Sequence, residues 1–157
     1  PNPLTKREER PNVLQPATFG NGALLQNAVR LTEGNAFTEI AVSDLAIDAM
    51  VREVFHRVLG RQPNAVELGA FTSLLSNGFA ERHVPAENVK KAKSEKRLRF
   101  VSWSNHLSPE ANALKVEAQR RARAGDPPTQ LLVPDWRERM EDMIWALLNS
   151  PEFLFFP

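Results

Sequence analysis

Residues 43–78, SDLAIDAMVREVFHRVLGRQPNAVELGAFTSLLSNG, decide the fold class. Ile47, Met50, Val51, Val54, Phe55 and Val58 recur at three- and four-residue steps, the spacing that brings side chains to one face of an α-helix. Ser43 is expected to cap this helix, with Asp44 in the first turn, where the helix dipole favours negative charge. Gly60 is expected as the left-handed residue that stops it. Beyond it, Asn64 and Glu67 have the spacing of a capping box, opening a second helix with a buried face of Leu68, Phe71, Leu74 and Leu75. Asn77-Gly78 ends that helix. Only Arg61-Gln62-Pro63 separates the two, so an antiparallel or steeply angled helical hairpin is predicted.

Working outward, Gly20-Asn21-Gly22 reads as a turn before a helix from Ala23 to about Thr32, striped by Leu24, Leu25, Ala28 and Val29. Residues 1–19 hold Pro1, Pro3, Pro11 and Pro16 around a charged cluster from Lys6 to Arg10, a composition that predicts an extended arm. On the other side, residues 86–107 are polar and basic at first, then apolar at Phe100, Val101 and Trp103. Ser108-Pro109 has the cap and first-turn proline of a helix running to about Ala124 and stopped by Gly125-Asp126-Pro127-Pro128. Asp135 is expected to cap a last long helix, striped by Trp136, Met140, Met143, Ile144, Leu147 and Leu148. Nine steps of roughly 100° place Trp145 on the side opposite Trp136. Ser150-Pro151-Glu152 reads as a capped single turn, and Phe153, Phe155 and Phe156 are expected to be buried against the body of the domain or against a partner chain. No stretch alternates with period two. An irregular all-α bundle follows, with an extended arm over 1–19 and one helical domain over 20–157 carrying a basic excursion at about 84–134.

The chain has 157 residues, 42% hydrophobic and 25% charged, close to the averages of globular domains. No apolar run approaches the ~20 residues of a membrane span. There is no cysteine, which excludes disulfides, thiolate zinc sites, iron–sulfur clusters and covalently attached haem from this chain. No cofactor is expected. Pro1 in place of a methionine suggests a processed product, a fragment or part of something larger.

Charge is uneven. Residues 85–125 carry ten basic and four acidic side chains, net +6, against −5 elsewhere. Lys90, Lys91, Lys93, Lys96, Arg97, Arg99, Arg120, Arg121 and Arg123, with Lys115, could hold an anionic partner: nucleic acid, an acidic polysaccharide or an acidic protein face. Solvent-facing helices that happen to be basic would have the same composition. No aromatic residue is interleaved between Lys90 and Arg99, so single-stranded nucleic acid has little support. His56, His83 and His106 form no HxxxH or HExxH pair, so local spacing gives no metal site. No GxSxG elbow is present. Glu138, Glu141 and Asp142 beside Arg137 and Arg139 could form an acid/base cluster, though such a mixture is far more often a salt-bridged outer helix face.

Two strings carry a resemblance. Val54-Phe55-His56-Arg57-Val58-Leu59-Gly60-Arg61-Gln62-Pro63, followed by Glu67-Leu68, is the first. The second runs from Asp135 through Trp136 and Trp145 to Leu148-Asn149-Ser150-Pro151-Glu152-Phe153. Together they resemble the C-terminal domain of unknown function of large planctomycete and verrucomicrobial proteins, in which an LGR.P...EL hairpin is followed by a closing WALLNSPEF helix. The resemblance implies the C-terminal module of a longer secreted, periplasmic or cell-surface polypeptide. Such chains often carry a cytochrome-c-like domain upstream, so the expected partners are other domains or subunits of a larger assembly, haem-bearing ones included. It supplies no catalytic residue. Gly60, Arg61, Pro63, Asp135, Trp136, Trp145, Asn149, Ser150 and Phe153 are therefore expected to be structural, and the domain to be a non-enzymatic scaffold or docking module. Binding of an anionic polymer through 90–123 is the alternative.

Overall fold

The computed structural model describes residues 22–89 and 97–154. The proposed arm over 1–19, the four lysines at 90, 91, 93 and 96, and Phe155 and Phe156 lie outside the described residues. The described chain is all-α: α1 (Ala23–Val29), α2 (Ala36–Val42), α3 (Ile47–Leu59), α4 (Ala65–Ser76), α5 (Ala111–Ala124), α6 (Pro134–Leu148) and α7 (Pro151–Leu154), with one 3₁₀ turn at Ala86–Asn88. Among the described residues, strand-like pairing is confined to isolated bridges, Thr32 with Pro128 and His83 with Leu132.

The predicted hairpin is the centre of the molecule. Met50, Val51, Val54 and Phe55 on α3 are fully buried, as is Leu75 on α4, and Phe55 meets Phe71 edge to face at 5.6 Å. Gly60 ends α3 at φ +68°, with its N–H donating to the His56 carbonyl. A side chain there would have to adopt the left-handed backbone that L-residues disfavour. Asn64 and Glu67 form the complete capping box: Asn64 Oδ1 accepts from Val66 and Glu67, and the Glu67 carboxylate accepts from the Asn64 N–H at 2.7 Å. α6 lies across the hairpin, burying Trp136, Met140, Met143, Ile144, Leu147 and Leu148. The indole N–H of Trp136 donates to the Leu75 carbonyl at 2.9 Å, so the large ring is buried without an orphaned donor. α1 packs on α6, α2 on α3, and α7 against both α3 and α6.

Four boundaries differ from the sequence reading, two of them through a tertiary contact. Ser43 does not cap α3. It closes α2, a short helix the periodicity does not reveal, with both its N–H and its hydroxyl donating to the Ile40 carbonyl, and Ala46 takes the cap position of α3. α1 stops at Val29 rather than Thr32. The Leu31 N–H donates to Glu141 at 2.8 Å and its carbonyl accepts from Thr129 at 2.7 Å, diverting this backbone from the helix. Asp135 is likewise not the cap of α6. Val133 holds that place, its N–H committed to the Arg82 carbonyl, and Pro134 is the first helical residue. Asp135 sits in the first turn, where its charge still suits the dipole. Finally, α5 begins at Ala111 and not at Ser108-Pro109, which form a preceding turn.

Candidate interaction site

The two motif strings meet in space at Arg61. Its guanidinium holds Glu67 with two hydrogen bonds, 2.7 and 2.9 Å, and Glu152 with two more, 2.6 and 2.7 Å. It also lies 5.4 Å from the centroid of the Phe55 ring. The planar fork of arginine suits such paired carboxylates in a way lysine does not. Hydrogen bonds from Arg61 and from the Asn64 backbone hold the Glu67 carboxyl down at about 2. Glu152 is lowered by the same guanidinium, which is itself raised. This node ties the first turn of α4 to α7, so the glutamate of each string is engaged in architecture. Pro63 is buried beside it. Ser150 opens α7, its hydroxyl and carbonyl accepting from the Phe153 N–H, and Phe153 packs on the core. Asn149 closes α6 with its side-chain amide donating to the Trp145 carbonyl. Trp136 and Trp145 do point apart: Trp136 is buried, while Trp145 remains 46% exposed. An open apolar depression of about 300 Å³ is lined by Val58, Leu59, Gly60, Glu152 and Phe153.

Arg82, which no motif or periodicity singled out, is the one buried cation among the described residues. Only 6% exposed, it donates to the carbonyls of Ala41, Phe79 and Ser43 and stacks 4.1 Å from the Phe79 centroid. Burial lowers its pKa, opposed by the charge of Asp44. Three backbone oxygens replace water around the guanidinium and join the end of α2 to the turn after α4. Three members of the charged cluster on α6 resolve in the same way. Glu141 pairs with Arg137 and receives the Leu31 N–H, and Arg139 donates to the Asn77 carbonyl.

The histidines do not converge. His83 lies on the bridge to Leu132, with its imidazole held below its ordinary value by desolvation and by Arg82. His106 stacks on Trp103 at 4.7 Å, and His56 is exposed on α3. Among the described residues no group of three metal-ligating side chains forms, and no helix is long and apolar enough to cross a membrane.

The basic excursion is different in kind. Arg97 and Arg99 are exposed and pair with no carboxylate among the described residues. On α5, by contrast, Glu117 bridges Arg120 and Arg121, whose guanidinium groups hold its carboxyl at about 2. Arg123 and Lys115 are exposed on the same helix. Next to Arg99, Phe100, Trp103 and Leu107 are 82%, 88% and 86% exposed. The backbone that carries them is closed by successive turns, Asn105 N–H to Ser102, Ser108 to Asn105 and Ala111 to Ser108. The Asn105 side chain accepts from the Ser102 N–H and donates to the Phe100 carbonyl. Polar order therefore holds large apolar groups out in solvent.

No known family model, curated protein or solved structure matches the chain.

Proposed function

We propose that this domain is a non-catalytic helical docking module, the C-terminal part of a larger extracytoplasmic protein that works with cytochrome-c-type partners. The observation that carries the docking role is the segment 97–107, where three large apolar side chains stand in solvent on a hydrogen-bonded loop. Globular domains rarely leave such a cluster exposed without a surface to meet it. The polar constellations lend further support, because the carboxylates and guanidinium groups around Arg61, Arg82 and Glu141 are engaged in holding elements together. The periplasmic or cell-surface setting and the haem-bearing partners rest on the two motif strings alone. Covalently bound haem would then belong to a neighbouring domain, since this chain has no cysteine to attach it. A photo-crosslinker in place of Ser104 tests the docking role in cells. A discrete adduct is expected from that position and none from a control at Glu138 on the far helix. Absence of any adduct from position 104 ends this reading, as does turnover of a substrate abolished by a single polar substitution.

The alternative, an anionic-polymer module, draws on exposed Arg97, Arg99, Lys115 and Arg123 together with the ring of Trp103. Its α5 portion is weakened by the Glu117 bridge. It requires retention on heparin-type or DNA columns that falls steeply with salt.

A further inference from the structure

The docking segment combines three kinds of side chain that seldom share one partner. Phe100 and Trp103 are aromatic, Leu107 is aliphatic, and Arg97 and Arg99 are exposed cations just before them. A sugar or nucleobase would stack on the Trp103 ring, yet His106 already lies nearly parallel to it, at 21°, and Leu107 has no planar face to offer. An anionic lipid surface accepts all three together: leucine and phenylalanine in the acyl boundary, tryptophan at the interface, arginine at the headgroups. The surrounding sequence has the matching sign, net +6 over residues 85–125.

Backbone chemistry fits as well. A loop entering a lipid interface must satisfy its own N–H and carbonyl groups. The turns at Ser102–Asn105, Asn105–Ser108 and Ser108–Ala111 and the two Asn105 side-chain bonds satisfy several of these groups locally. The loop leads directly into α5, which the Arg30 guanidinium fastens to α1 through the Ala124 carbonyl. Its junction with that helix, Ala111, is buried, while Phe100, Trp103 and Leu107 stand free of the core.

We propose that residues 97–107 seat the domain peripherally on an anionic lipid bilayer, with Phe100, Trp103 and Leu107 entering the interface and Arg97 and Arg99 meeting the headgroups. This rests on the docking reading and names its partner.

The test is flotation of the full chain with vesicles of phosphatidylcholine, alone or with about 30 mol % phosphatidylglycerol. Partition onto the anionic vesicles is expected to exceed that onto neutral ones by at least about tenfold and to weaken as salt rises. Phe100→Ser/Trp103→Ser should lower it by about tenfold or more at unchanged circular dichroism and melting temperature. Arg97→Ser/Arg99→Ser should remove most of the preference for anionic lipid. Equal partition of wild type and Phe100→Ser/Trp103→Ser overturns the proposal, and so does retention on heparin without binding to vesicles. A protein adduct from position 104 combined with no vesicle binding overturns the lipid assignment and leaves the docking role standing. Failure of both experiments removes both.

Discussion

The helical body around α3, α4 and α6 and the segment 97–124 use similar residues to opposite ends. In the body, Arg61 and Arg82 turn toward the protein. Arg61 clasps two carboxylates, and Arg82 takes three carbonyls beneath the Phe79 ring. In the 97–124 segment, Arg97, Arg99 and Arg123 face solvent. Trp136 and Trp103 divide the same way: Trp136 is 1% exposed with its N–H bonded, Trp103 is 88% exposed with its ring on an imidazole. Residue type therefore says little about role here. What separates the regions is whether a second apolar layer covers the face, as α6 covers the hairpin.

The largest effect is expected where that layering is densest. Trp136→Ala should cost about 3–5 kcal/mol in denaturant unfolding, through the cavity and the abandoned Leu75 carbonyl. A loss below about 1 kcal/mol would mean that α6 is not the lid of the core. Arg82→Met comes next, at about 2–3 kcal/mol, because three buried carbonyls lose their donor while the methionine keeps most of the volume. Recovery in Arg82→Lys should be poor, since one ammonium cannot span carbonyls from two directions.

The Arg61 node should show itself through pH. The folded Glu67 pKa of about 2 lies below its ordinary value of 4.5. Its contribution is therefore complete above the ordinary value and is lost as pH falls toward the folded one, and Glu152 is shifted in the same direction. Glu67→Gln should cost about 1–2 kcal/mol near neutral pH, with the difference from wild type shrinking through the acid range. A constant difference across that range would separate the capping role from the charge. The smallest effect belongs to the other region. Phe100→Ser/Trp103→Ser should change stability by less than about 0.5 kcal/mol, since neither side chain is covered. A substantial loss would show that the segment packs in solution and would end the contrast.

Gly125 illustrates how the two regions are joined. Its φ of +66° already favours glycine, and a Cβ there would stand 2.3 Å from the Asn27 side chain. The Asn27 amide donates to the Ala122 carbonyl beside it. The glycine is legible as a helix stop, but its contact with α1 is not, because the partner is almost a hundred residues away.

From sequence alone came the helical class, the hairpin with its glycine stop and capping box, the α6 stripe, the opposed tryptophans and the Ser150 turn. All depend on spacings within a few residues, where backbone geometry sets which side chains meet. Tertiary structure alone decided the reassignment of Asp135, the burial of Arg82, and the meeting of Glu67 and Glu152 on one guanidinium. Each of these is settled by a partner distant in the chain that competes for the same N–H, carbonyl or charge. It also decided that Phe100, Trp103 and Leu107 stand uncovered, since an apolar residue's exposure depends on what the rest of the fold places over it.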